Sequence, residues 1–277
     1  MKKILIIGSS GYIGKSLTLL LKKKIKILNY SKKKVNVLKV SSLKKIISKN
    51  IDLIINLSGQ NTSNKKKLKK IIIDGNKNIL KAINDINHKI NYLFISTCLV
   101  YGHVRKPANE EKKILSTKNF YAKMKLRAER YVKKNSSNFV IIRLANVYNK
   151  NADQGFFKKL FIQIRKKKII FSNLLTQRNM IHLDDVIKSI KLIINNNKMF
   201  KDKTVINIGN ENIKLTKIAK ILKSLKKRDI KIINKKIPLS SDVSQIISIN
   251  KLKKLKKWKK NSIEKTFKQT LKNEKFI

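Results

Sequence analysis

Tyr121 and Lys125 stand four residues apart in FYAKMKLRAERYVKK (120–134), and Thr97 closes an apolar run 24 positions before the tyrosine. If residues 120–134 are helical, the phenol and the ammonium share one face. An ordinary tyrosine titrates near ~10 and is a poor base at neutral pH. A lysine held beside it favours the phenolate and lowers that value, and a threonine hydroxyl at a strand end can bond the same substrate oxygen. Such a trio can move a proton at an alcohol or carbonyl oxygen while a redox ring exchanges a hydride. The spacing recurs at Tyr30/Lys34 and Tyr101/Arg105, but only the 121/125 pair falls in a strongly helical stretch with a hydroxyl residue placed upstream.

A second cluster opens the chain. ILIIGSSGYIGKSL (4–17) puts Gly8, Gly11 and Gly14 within seven positions, in a chain with 8 glycines among 277 residues. Chance predicts roughly 0.2 there. The glycines follow an apolar strand pattern and open a helix pattern. In that setting one glycine permits the turn, one lets the backbone approach a pyrophosphate, and one lets helix and strand pack closely. Free N–H groups at the helix start face the phosphates. Ser10, Tyr12 and Ile13 belong to the same loop. The spacing is G-x-x-G-x-x-G, and a close-packed turn without ligand is the alternative. The next strand pattern ends at Asn29, where an acid binding the ribose hydroxyls of NAD is usual. Ser31, Lys32 and Lys33 follow and could receive a 2′-phosphate, which leans towards NADP.

These residues need a scaffold to position them. Apolar runs at 3–7, 25–29, 35–40, 51–59, 91–97 and 139–148 read as strands. Residues 15–23, 42–49, 68–86 and 120–134 read as helices between them. Alternating strand and helix implies right-handed βαβ units and a doubly wound parallel sheet covered on both faces. After about 150 the pattern loosens, with a strand at 204–210, a helix at 215–226 and a basic amphipathic segment at 251–260. The expected organisation is a dinucleotide-binding Rossmann domain over 1–150, joined by 178–195 and 204–210, and a smaller α/β substrate-binding region over 151–277.

Composition sets bounds. Lys+Arg number 68 against 15 Asp+Glu, a net charge of +53. The lysines occur in every segment, alongside abundant Ile and Asn. This reads as A/T-rich codon usage rather than a nucleic-acid footprint, although such charge encourages nonspecific polyanion binding. Cys98 is the only cysteine, and His88, His103 and His182 are scattered, so neither a disulfide framework nor a metal site is expected. No apolar run approaches membrane-spanning length, and a cytoplasmic location is expected.

Read together, the motifs resemble the extended short-chain dehydrogenases/reductases, the NAD-dependent epimerase/dehydratase family acting mostly on nucleotide sugars. The likeness runs through GSSGYIG, INLSG (55–59), STCLVYG (96–102), YAKMKLRAER (121–130), IIRLANVY (141–148), RNMIHLDDV (178–186) and VINIGN (205–210). The resemblance implies that Tyr121 is the catalytic acid/base, Lys125 its helper and Thr97 the third member, with Ser96 beside it at the substrate. It implies NAD or NADP on the glycine loop and on Ser58 and Gly59, and a homodimer. It implies a nucleotide-sugar diphosphate against Asn146 and Arg178, where a guanidinium suits phosphate. A salt bridge from Arg178 to Asp184 or Asp185 is the alternative, and His182 reads as a packing residue.

The chain also departs from the family pattern. Cys98 and Leu99 stand where sugar-nucleotide dehydratases carry Asp-Glu, which disfavours dehydration. The stretch from Leu239 to Asp242 lacks a diphosphate-clamping arginine, Asn250 replaces an aspartate, and Lys39 stands where an adenine-contacting aspartate is usual. The reading is therefore an NAD(P)-dependent epimerase or ketoreductase for a nucleotide-activated sugar. The rival is a non-catalytic dinucleotide-binding scaffold or RNA-associated protein, its tail stacking Trp258 on bases.

Overall fold

A computed structural model of the chain describes residues 3–22, 26–29, 35–47, 50–59, 64–86, 89–114, 117–152, 155–224, 230–235 and 244–273. Two compact units emerge. One comprises Met1–Val100, Ile114–Arg143 and Ile190–Ile206, the other Tyr101–Lys113, Leu144–Ser189 and Asn207–Ile277.

The first unit is built on the expected parallel α/β sheet. Its strands are β1 (Lys3–Ile7), β2 (Lys26–Asn29), β3 (Leu53–Asn56), β4 (Asn91–Thr97) and β5 (Phe139–Leu144), with β9 (Thr204–Ile208) joining much later in the chain. They lie in the order β2-β1-β3-β4-β5-β9. Strand β1 pairs in parallel with β2 and β3, Ile4 facing Ile27 and Leu53, and β3 pairs in parallel with β4. Every residue of β3 and β5 is buried. Strands covered on both faces read as apolar runs rather than alternations, the reason this part of the pattern was legible. Helices α1 (Tyr12–Leu21), α2 (Val40–Ile47), α3 (Lys65–Lys69), α4 (Gly75–Ile86) and α5 (Phe120–Asn135) connect the strands. Leu5, Leu43, Ile54, Ile79, Phe94, Met124 and Ile141 belong to one core.

Three expectations are corrected here. Val35–Val40 is not a strand: Asn36 accepts from Leu38 N with its side chain (2.9 Å) and from Lys39 N with its carbonyl (3.0 Å). This local bonding turns the backbone and offers it an alternative to the sheet ladder. The helix expected over 68–86 is α3 and α4 joined by a π-turn, Lys70–Asp74. The strand expected over 139–148 breaks at Ala145, whose N–H goes to Ile208 O (2.9 Å), and Asn146–Tyr148 becomes β6 in a different sheet.

The second unit contains β6, β7 (Lys168–Phe171), β8 (Gln177–His182), β10 (Glu211–Lys214) and β11 (Lys231–Asn234). Strand β8 pairs in parallel with β6 and antiparallel with β10, while β11 and β7 form a separate parallel pair. Helices α6 (Gly155–Arg165), α9 (Leu215–Lys223), α10 (Asn250–Lys253) and α11 (Ile263–Asn273) belong to this unit. Helices α7 (Leu183–Ile194) and α8 (Asn197–Lys201) lead to β9. Its core gathers Tyr148, Phe157, Phe161, Ile218 and Phe267. The basic segment 251–260 is helical only through Lys253. Among the described residues no helix is long and apolar enough to cross a membrane, and no three His, Cys, Asp or Glu side chains gather as metal ligands.

Candidate active site

The glycine loop joins β1 to α1, and its three glycines are required for different reasons. Gly8 has φ +86°, a left-handed conformation in which a side chain is strained. At Gly14 a Cβ would lie 2.2 Å from Gly8 O, so only glycine allows α1 to start this close to the strand. Gly11 is different. It is exposed, its φ is −79°, and a Cβ there would meet only Gly8 O at 3.3 Å. Packing presses far less on position 11 than on position 14. It is the N-cap of α1 and supplies no side-chain cap, so the first-turn N–H groups keep their capacity for an anion. Ser10 is exposed, while Tyr12 and Ile13 are half-buried.

Strand β3 ends beside this loop. Leu57 N donates to Ile7 O (2.9 Å), and a Cβ on Gly8 would lie 3.2 Å from the Leu57 carbonyl carbon. Ser58 and Gly59 follow. Gly59 has φ +92°, and a Cβ there would meet Ile72 Cγ1 at 2.5 Å. The same virtual Cβ lies 3.4 Å from Lys125 Nζ. The lysine thus reaches the loops from α5 and is 2% exposed. It donates to Ser58 O (3.1 Å) and Ile95 O (2.8 Å), and lies 4.8 Å from the Phe94 ring and 5.9 Å from that of Tyr121. Helix α5 is started by Asn119, whose side chain accepts from Ala122 N (3.0 Å). Thr97, 8% exposed, ends β4, and its Oγ1 accepts from Leu99 N (3.3 Å), leaving the hydroxyl proton to give.

The electrostatics run against one expectation. Burial, and then Cys98 beside it, push the Tyr121 phenol above its usual range rather than below it. Burial also pushes the Lys125 ammonium down to about 7, the Glu129 carboxylate opposing this. A cation about half present at neutral pH is a weak influence on a desolvated phenol. Desolvation outweighs the lysine.

Ser96, expected at the substrate, donates its hydroxyl to Glu129 Oε1 (2.5 Å) inside the first unit. Glu129 also accepts from Arg143 Nε and Nη2, at 3.2 and 2.8 Å to Oε2. Both members of this pair are buried, and sequence reasoning passed over them. The charge of Arg143 inside the apolar run FVIIRLANVY was the available signal, while Glu129, flanked by Arg127 and Arg130, gave none.

The second unit brings Asn146 and Arg178 onto neighbouring strands. Asn146 Nδ2 donates to Asn179 O (2.9 Å) and Gln245 Oε1 (3.2 Å). Arg178 lies opposite Gln245 in a parallel bridge, its guanidinium 5.1 Å from the centre of the Phe156 ring. Gln245 therefore joins both candidates and was missed, lying in a stretch without regular pattern. Asp184 faces His182 and Asp185 bonds Asn261 and Lys188. His182 packs edge-on to Tyr148 at 5.3 Å.

Asn29, expected at the adenosine end of a dinucleotide, ends β2 opposite Ile6. Ser31, Lys32 and Lys33 lie outside the described residues, as do His88 and Leu239–Asp242.

Solved structures share this fold along the whole chain. RMD from Pseudomonas aeruginosa, complexed with NADPH, is 18% identical, with TM-score 0.82 and 100% of each chain covered. The dTDP-4-dehydrorhamnose reductase of Bacillus anthracis, in complex with NADP, is 18% identical, with TM-score 0.81 over 99% of this chain and 100% of the other. The UDP-N-acetylglucosamine 4-epimerase of Methanobrevibacter ruminantium, in complex with UDP-N-acetylmuramic acid, is 18% identical, with TM-score 0.79 over 98% and 97%. At such identities the likeness is one of fold. No curated relative matches the chain. Residues 4–209, most of the chain and all of the motifs up to β9, match the sequence pattern of the NAD dependent epimerase/dehydratase family, and the protein belongs to that family.

Proposed function

We propose that this protein is an NAD(P)-dependent epimerase or ketoreductase acting on a nucleotide-activated sugar. The observation that carries the reading is the buried Lys125 ammonium. It is tied to the Ser58 and Ile95 carbonyls, one helical turn from Tyr121 and at the strand ends where open α/β sheets take ligands. The chain's own residues fit a dinucleotide. Gly11 puts no side chain over the start of a helix that has no side-chain cap. The residues to hold it are Gly8, Ser10, Gly11, Tyr12, Ile13 and Gly14, then Ser58 and Gly59, with Asn29, Ser31 and Lys32 at the adenosine end. When bound, the nicotinamide supplies the hydride donor or acceptor.

Tyr121 then handles the proton of the sugar oxygen. A phenol held above its usual range keeps its proton, and so donates to a ketone oxygen. Thr97 orients the same oxygen through its free hydroxyl proton. Lys125 holds the nicotinamide ribose and stabilises the phenolate when Tyr121 gives up its proton. Asn146 and Arg178 serve the diphosphate, Arg178 by charge-assisted bonds. Neighbours bound to NADPH, NADP and a UDP-sugar support the ligand classes.

The test is turnover of a panel of UDP- and dTDP-sugars with NAD or NADPH, wild type against Tyr121→Phe. Loss of general acid–base catalysis predicts a fall of about 10²–10⁴ in kcat with NADPH binding retained. Equal activity would remove Tyr121 from the mechanism.

A further inference from the structure

We propose that Asn56, Asn76 and Tyr92 are positioning residues that fix the Ser58 carbonyl and, through it, the Lys125 ammonium. All three are buried, at 0%, 1% and 0% exposure. None belongs to the loops described above, and polar groups this deep in a core require a reason.

Their bonds form one directed chain. Asn76 Nδ2 donates to Ile72 O (2.6 Å), the middle of the π-turn between α3 and α4. Tyr92 Oη donates to Asn76 Oδ1 (2.6 Å), and Asn56 Nδ2 donates to Tyr92 Oη (2.7 Å). Asn56 Oδ1 then accepts twice from Ser58, from its N–H (2.9 Å) and its hydroxyl (2.6 Å). The Ser58 carbonyl, its peptide so held, accepts from Lys125 Nζ at 3.1 Å. The two ends of the chain also meet, since Ile72 is the side chain that crowds Gly59.

This arrangement solves a local problem. Leu57 N makes the last bond to β1, to Ile7 O (2.9 Å), and among the described residues no strand pairs with the turn that follows through Ser58 and Gly59 at φ +92°. Asn56 replaces the lost ladder bonds with side-chain ones. Tyr92 and Asn76 then anchor Asn56 from β4 and α4. A Lys125 with mobile carbonyls beneath it would lose the aim of its remaining N–H bonds, which need alignment within a few tenths of an ångström. The π-turn fits this role, as such insertions often mark functional sites.

The inference rests on Lys125 standing in the active site, and its test reads the network without turnover. Supplying [1-¹³C]serine and [¹⁵N]glycine marks only the peptide bonds Ser10–Gly11 and Ser58–Gly59 of this sequence. Lys125→Met identifies the second signal by displacing it. Tyr92→Phe, and separately Asn76→Ala, should displace or split the same signal, leave Ser10–Gly11 in place and weaken NADPH binding several-fold. Asn78→Ala, which removes a bond from α4 to Val37 O, should leave both signals alone. An unmoved Ser58–Gly59 signal in both network variants overturns the proposal. So does a Tyr92→Phe chain that fails to fold, because the network would then support the sheet rather than aim the lysine. A displaced signal in a protein inactive on every sugar would keep the network and defeat the catalytic reading instead.

Discussion

At the scale of single residues, Lys125 carries both a cost and a use. A lysine titrating near 7 in the folded chain, against its ordinary value of 10.5, makes stability depend on pH. Below about 7 both folded and unfolded chains hold the proton and the penalty is complete. Between about 7 and 10.5 only the unfolded chain holds it, so the penalty fades as pH rises. Lys125→Met should therefore raise Tm relative to wild type most at pH 7, with the gain shrinking towards pH 10. A difference independent of pH, followed by circular dichroism, would contradict this. The glycines separate similarly. Gly14→Ala forces a Cβ to within 2.2 Å of a carbonyl and should lower stability by about 1–3 kcal/mol while weakening NADPH binding. Gly11→Ala is the milder case, its Cβ meeting only Gly8 O at 3.3 Å, and should lower Tm far less than Gly14→Ala while reducing NADPH affinity at least ~10-fold in a fluorescence titration, about 1.4 kcal/mol. Intact affinity in Gly11→Ala would mean that this loop is a packed turn only.

At the scale of elements, the site depends on how α5 is set against β4. The helix carries Tyr121, Lys125 and Glu129 at four-residue intervals, so one face holds both the proposed catalytic pair and the ion pair that anchors it. Lys125 bonds the carbonyl of Ile95 and Glu129 takes the hydroxyl of Ser96, so two successive residues of β4 are gripped from one helix. Truncating one member of a buried ion pair typically costs 3–5 kcal/mol, because the other charge remains buried. Glu129→Ala should therefore lose about that much in urea unfolding, far more than Asn119→Ala, where loss of one N-cap is worth about 1 kcal/mol. The reverse order would show that the cap, not the ion pair, holds the helix.

At the scale of the whole molecule the dominant fact is the net charge of +53. Its parts are spread over both units, and like charges repel more in the compact state than in the expanded one. Screening lengths fall from about 30 Å at 0.01 M salt to about 10 Å at 0.1 M. The thermal midpoint should thus climb by several degrees between 10 and 300 mM NaCl. A flat response in calorimetry would show that the ion pairs and bound counterions already offset the repulsion.

What the sequence determined by itself was the first unit and its chemistry-bearing loops. Parallel strands buried on both faces write themselves as apolar runs, and a tight strand-to-helix turn writes itself as clustered glycine, so β1, β3, β4, α5 and Gly8, Gly11 and Gly14 were legible. Tyr121, Lys125, Ser58 and Gly59 were nameable from spacing and resemblance. Their being brought together is a tertiary fact, because it depends on β3 and β4 lying adjacent with α5 across them. Val35–Val40 turns through bonds that Asn36 makes two and three residues on, a local signal its apolar pattern masked, whereas tertiary structure alone decided that Ser96 serves Glu129. It also decided that Gln245 joins Asn146 to Arg178, and that burial outweighs Lys125 in setting the tyrosine's proton. Each of these depends on partners 33 to 99 positions away in the chain or on the loss of water around a buried group. Local pattern encodes neither.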